Sequence, residues 1–133
     1  MYGVETLAEQ QLKLRKMNLL KISTFYQEST MLQKTLELIK SEFKKGIQSI
    51  YDISEDGINS FGYTLLAENK KEDALEIFKL NTELYRNSFN TFDSLGECLL
   101  LLNRKQEGIE AYKKSLELNP KNENAKSVLE KTK

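Results

Sequence analysis

Cys98, the carboxylate pairs Glu72/Asp73 and Glu107/Glu110, and the basic doublets Lys70-Lys71, Arg104-Lys105 and Lys113-Lys114 are the side chains of this chain that could do chemistry. Paired carboxylates can exchange protons or hold a divalent cation. Basic doublets can grip phosphate, and a thiolate can attack a carbonyl. Each candidate lacks its usual company. The chain has no histidine, which removes the commonest general base and the commonest metal ligand. A single cysteine forms no internal disulfide and no CxxC ligand pair, and it reads as a small core residue. No G-x-S-x-G elbow occurs. Acids stand beside the basic doublets and neutralise them. The expectation is a non-catalytic chain, with no cofactor and no metal site.

The charge balance narrows the partners. Twenty basic and twenty acidic side chains cancel over 133 residues. No basic footprint for nucleic acid is present, so a protein or peptide partner is expected and a nucleic acid is not. No apolar run is long enough to span a bilayer, and a membrane partner is not expected either. Residues 1–17 are too charged for the apolar core of a secretory signal. These features together suggest a cytoplasmic setting.

The elements that must carry these residues are set by an internal echo. Shifted by 34 residues, the stretch from Ile58 to Pro120 nearly repeats: Gly62 falls on Gly96, Leu65 on Leu99, Asn69 on Asn103, Glu76 on Glu110 and Phe78 on Tyr112. A period of this length means stacked helical hairpins. The predicted copies are 55–88 and 89–122, with helices near 56–68, 72–85, 90–102 and 106–118. Asn69 and Asn103 tolerate the left-handed conformation of a tight helix stop. Gly62 and Gly96 lie mid-helix, where glycine costs about 1 kcal/mol relative to alanine. The cost is accepted where another helix must come close, with Ala74 and Gly108 as the small counterparts. Phe78 and Tyr112 are expected to fill the space between hairpins. A last helix over 122–131 covers the end of the stack, as terminal units require.

Residues 1–54 do not fit the repeat: Glu28, Lys40 and Lys44 fall where the later copies have glycine, a small residue and an aromatic. Two helices are predicted there, Val4–Ile22 with a break at Ser23-Thr24, and Ser29–Ile50. The second carries an apolar stripe at Leu32, Leu36, Ile39, Phe43, Ile47 and Ile50. That pair is expected to pack on the repeats. The same stripe could instead support a homodimer through Leu32, Leu36, Ile39, Phe43 and Ile47. The fold expected is all-α: repeat hairpins over 55–133 with two extra N-terminal helices over 1–54 and a capping helix over 123–133.

Phe61-Gly62, Leu65, Ala74 and Phe78, then Phe92, Leu95-Gly96, Leu99, Tyr112 and Pro120, resemble the tetratricopeptide repeat at that family's own period. The departures are Gly108 for an alanine, Asn81 and Ser115 where alanine is usual, and Arg86 for a proline. A narrower likeness lies in the wording of Ile58–Tyr63, Ala74–Asn81, Asp93–Glu97 and Lys114–Lys126. It resembles the repeat tail of bacterial serine hydrolases, both α/β-hydrolase esterases and β-lactamase-like proteins. That likeness implies, as an alternative, an accessory C-terminal tail or a stand-alone relative of one, with a structural or oligomerising role.

The repeat resemblance implies a protein-interaction scaffold. In that family the first helix of each hairpin lines a concave groove. By position this face holds Asn59, Tyr63, Leu66 and Ala67 in the first copy, and Asp93, Glu97, Leu100 and Leu101 in the second. Gly62, Ala74, Phe78, Gly96, Gly108 and Tyr112 are the packing residues. Some members clamp a partner's C-terminal carboxylate. Asp93 and Glu97 would repel one, so the resemblance implies a neutral or basic segment here.

Overall fold

The computed structural model describes residues 6–10, 19–29 and 31–133. Among them regular structure is helical, apart from one isolated bridge between Leu20 and Tyr51. Two compact units divide the chain, Met1–Ile53 and Ser54–Lys133.

In the first unit, residues 7–10 are helical and begin on a capping box. The Thr6 hydroxyl accepts from the Glu9 amide at 3.1 Å, and the Glu9 carboxylate accepts from the Thr6 amide at 3.4 Å. Most of the expected Val4–Ile22 helix lies outside the described residues. Its expected end is corrected. Residues 19–21 are not helical, and helix α1 (Ile22–Ser29) starts where the first helix was to stop, running through Ser23-Thr24. The reason is backbone pairing. The Leu20 amide donates to the Ile50 carbonyl at 2.8 Å, and the Asp52 amide donates to the Leu20 carbonyl at 2.8 Å. Residue 20 is therefore held extended.

Helix α2 (Leu32–Lys45) also ends early. Gly46 sits at φ 56°, a left-handed conformation that only glycine adopts at little cost. Its amide closes on the Phe43 carbonyl, and a 3-10 turn (Gly46–Gln48) follows. The stripe read over Leu32–Ile50 is thereby cut. Ile39 is fully buried, whereas Ile47 is 68% and Ile50 59% exposed. The buried line of α2 is Thr35, Ile39 and Glu42, spaced 4 and 3 residues apart. Glu42 is held there by charge-assisted bonds: Lys45 Nζ at 2.8 Å and the Ser49 hydroxyl at 2.7 Å. Ser49 Oγ in turn accepts from the Tyr51 amide at 3.1 Å. The Phe25 and Tyr51 rings meet edge to face at 6.1 Å.

The second unit follows the 34-residue period closely. Helices α3 (Glu55–Ala67) and α4 (Lys71–Leu84) form the first hairpin, and α5 (Phe89–Leu101) and α6 (Lys105–Leu118) form the second. Helix α7 (Glu123–Lys131) packs on α6. Each helix packs on the next, and α3 also meets α5. Ser54 caps α3 by accepting from the Gly57 amide at 3.0 Å, with Glu55 and Asp56 in the positive first turn. Asn69 and Asn103 stop the first helix of each hairpin at φ 61° and 59°. Their neighbours close the stop, Lys70 amide to Leu65 carbonyl at 2.8 Å and Arg104 amide to Leu99 carbonyl at 2.9 Å.

The core of this unit is built from Ile58, Phe61, Leu65, Ala74, Leu75, Ile77, Phe78, Cys98, Leu99 and Tyr112. A Cβ at Gly62 would stand 2.6 Å from Cζ of Phe78, and one at Gly96 would stand 2.7 Å from the Tyr112 ring. Each ring lies over the glycine of its own hairpin, so the glycine makes room for a side chain of the helix packed on it. A close backbone approach joins Gly108 to Gly96, since a Cβ at Gly108 would stand 3.3 Å from the Gly96 carbonyl oxygen.

Candidate functional site

The face in question is the one that α3 and α5 present together. On each helix, residues three, four and seven apart share a side. This places Asn59, Tyr63, Leu66 and Ala67 in one row, and Asp93, Glu97, Leu100 and Leu101 in the next. Since α3 meets α5, the rows can touch, and they do at Tyr63.

The Tyr63 phenol donates to Glu97 Oε2 at 2.6 Å, and Ser94 Oγ lies 3.3 Å from the same phenol oxygen. The Tyr63 ring rests edge to face on Phe78, centroids 5.1 Å apart. Phe78, in turn, sits over Gly62. The chain of contacts from core to surface is therefore glycine, buried ring, half-exposed ring, carboxylate. Burial pushes the Tyr63 phenol up to about 12, helped by the bond to Glu97, which is lost when the phenol ionises. Tyr112 moves in the same direction, first through burial and then through the fields of Glu97 and Asp93. Both tyrosines remain neutral donors at any ordinary pH.

Asp93 is engaged within the fold. Its Oδ1 accepts from the Ser115 hydroxyl at 2.5 Å, and its two oxygens lie 3.0 and 3.1 Å from Asn122 Nδ2. Asn122 Oδ1 caps α7 by accepting from the Ala125 amide at 3.2 Å. The carboxylate therefore ties α5 to α6 and to the start of α7, and it contributes charge to the face more than a free oxygen. Ser115 and Asn122 carry this joint, and sequence reading of the face missed both. A signal existed, since both fall 34 residues after polar positions of the first copy, Asn81 and Ser88.

The first copy resolves the same positions differently. Asn81 is fully buried, and its Nδ2 donates to the Glu55 carbonyl at 3.1 Å. Ser88 turns to the Glu55 carboxylate. Ser88 stands where the second copy has Asn122, so the first copy lacks the amide that Asn122 brings to Asp93 and Ser115. Asn59 Oδ1 and Asn81 Oδ1 are both buried without a hydrogen-bond donor.

The remaining face residues are apolar. Leu66 and Leu100 are half-buried, and Ala67 and Leu101 are exposed. Leu100 also covers Gly108, where a Cβ would come within 2.8 Å of it. The face is thus divided. Its first turns are polar and acidic, and its last turn is an apolar strip that crosses both copies.

Elsewhere, Cys98 is buried with its sulfur 3.6 Å from the Lys71 carbonyl oxygen, and burial pushes the thiol up to about 11. That thiol is a poor nucleophile. Arg104 grips Glu107 through two bonds of 2.9 and 2.8 Å. A shallow cleft over Phe92 and Leu95 has a rim of Lys79, Lys114, Glu107 and Glu110 whose charges cancel. Among the described residues, no group of three His, Cys, Asp or Glu side chains could hold a metal ion. None of the described helices is long and apolar enough to cross a membrane.

Residues 90–122 match the family model of the tetratricopeptide repeat. No curated protein matches the chain.

Proposed function

We propose that this tetratricopeptide-repeat protein is a non-catalytic interaction module that binds a peptide segment or protein surface through the joint face of α3 and α5. The repeat match makes a protein-interaction role the coarse reading. The observation that carries the finer one is the bond from Tyr63 to Glu97. It joins equivalent positions of two copies into one surface, with a half-exposed aromatic ring, an exposed carboxylate and leucines beside it. Aromatic and leucine side chains supply contact area, and the carboxylate selects by charge. A neutral or basic segment fits this face, and a terminal carboxylate does not.

The test immobilises the full chain and compares recovery of a partner by it and by Glu97→Lys and Leu66→Glu variants of matched thermal midpoint. Recovery that falls with both variants supports the reading. Recovery untouched by either places the binding surface elsewhere.

A second proposal is a homodimer through the first unit. The exposure of Ile47 favours it, together with the half-buried Leu32, Leu36 and Phe43. Ile39 contributes no surface, because it is fully buried. Light scattering over a range of concentrations decides it, and a strict monomer removes it. The accessory-tail reading rests on the wording of the repeats alone, and an upstream hydrolase in the native gene would be its test.

A further inference from the structure

The division of the α3–α5 face says more about the partner, and this inference rests on the concave-face reading above. Two strips cross both copies side by side. One runs from Tyr63 to Glu97 and is closed by their 2.6 Å bond. The other consists of Leu66 and Ala67, then Leu100 and Leu101, with Leu101 48% exposed. They lie three to four residues apart on each helix, about 5 to 6 Å.

Charge decides what sits on the first strip. Tyr63 uses Glu97 Oε2, and among the described residues no lysine or arginine pairs with Glu97 or Asp93. Exposed carboxylates such as Glu68, Glu107, Glu117 and Glu123 do have basic neighbours within 4 Å. A cation brought by a partner would meet a carboxylate that no lysine or arginine among the described residues neutralises, beside the partly exposed Tyr63 ring.

Geometry decides the partner's conformation. An extended segment sends alternate side chains to opposite sides, so it offers one row to a surface. Two parallel rows of different chemistry, one turn apart, are what an amphipathic helix presents. Neighbouring helices lie about 8–10 Å apart. A segment crossing both copies therefore needs roughly 20 Å, or about 13 residues of helix.

We infer that the α3–α5 face takes a basic amphipathic helix, its apolar row on Leu66, Leu100 and Leu101 and a lysine or arginine against Glu97 and the Tyr63 ring.

The experiment uses the full chain and three labelled peptides of about 14 residues, read by fluorescence anisotropy. The first is a leucine–lysine peptide with helical period. The second has the same composition in strict alternation. The third has helical period with glutamate for lysine. Expected is binding of the first roughly tenfold or more tighter than either other. Leu101→Glu and Glu97→Lys should each weaken it by a similar factor, and Glu97→Lys should gain affinity for the glutamate peptide. If the alternating or the acidic peptide binds equally well but still depends on Leu101 and Glu97, the helix or the charge is overturned while the concave-face reading stands. Binding that ignores both variants overturns the two readings together. Failure of all three peptides to bind overturns the inference.

Discussion

Tyr63 and Glu97 stand 34 residues apart, at the same position of successive repeats, and the phenol of one donates to the carboxylate of the other at 2.6 Å. This bond joins two helical hairpins through their shared face. Removing only the hydroxyl, by Tyr63→Phe, keeps the edge-to-face packing on Phe78. The bond is partly exposed, so the expected loss is about 1 kcal/mol, read from urea unfolding.

The same pair predicts a dependence at high pH. The Tyr63 phenol is raised in the folded chain to about 12 from its ordinary value of 10.0. Its contribution is complete below pH 10, where both folded and unfolded phenols are neutral. It fades as the unfolded chain ionises first, between pH 10 and about 12. Stability should fall across that window. Tyr63→Phe should make the fall shallower without abolishing it, because Tyr112 is raised too. Phenolate absorbance against pH, beside unfolding curves, checks both statements.

Gly62→Ala should destabilise the chain although alanine is the better helix former. The new methyl would meet the Phe78 ring at 2.6 Å, an overpacking cost of about 1–3 kcal/mol against a propensity gain of about 1. Phe78→Leu in the Gly62→Ala background frees space, so the double variant should lose less than the sum of the singles. Additive losses would show that the ring and the glycine do not share one site.

Asn122→Ala should release α7. It removes the cap on Ala125 and leaves Asp93 and Ser115 without their amide partner, a loss of about 2 kcal/mol. Hydrogen exchange should rise in 123–131 first. Asn81→Ser is the opposite case. It copies Ser115, whose hydroxyl lies 3.0 Å from the Phe89 carbonyl, and it deletes a buried acceptor that has no donor. The expected outcome is an unchanged or higher thermal midpoint.

Glu42 contributes to the acid response of the first unit. The bond from Lys45, and after it the bond from Ser49, hold its carboxyl below the ordinary value of 4.5. A depressed carboxyl contributes above the unfolded value and loses that contribution as pH falls through the folded one. Glu42→Gln should flatten the dependence below about pH 4.5 and loosen the turn at 46–53. Amide exchange of Tyr51, whose N–H is held by Ser49, reports it.

Much of the second unit was legible because its signals are local and occur twice. Asn69 and Asn103 mark helix stops through their own backbone preference. The spacing of Phe61, Leu65, Phe78 and their echoes marks a buried side through helical period alone. In the first unit the decisive features were not periodic. The stripe from Leu32 to Ile50 read as one helix. Lys44-Lys45-Gly46 was a stop signal available in the residues, but the regular apolar spacing masked it. The pairing of Leu20 with 50–52 had no signal of its own, since two backbone segments 30 residues apart meet only through the path of the chain between them.

For the face, residue types and period determined which side chains share a side of each helix, and that this side mixes acid, aromatic and leucine. Only the tertiary structure decided which of them are spent inside the fold. Asp93 and Glu97 look alike in sequence, one turn apart on one helix. The approach of α6 and α7 brings Ser115 and Asn122 to Asp93, whereas Glu97 accepts from a phenol of α3. A carboxylate's availability depends on the donors that packing delivers to it, and those come from residues whose distance along the chain bears no relation to their distance in space.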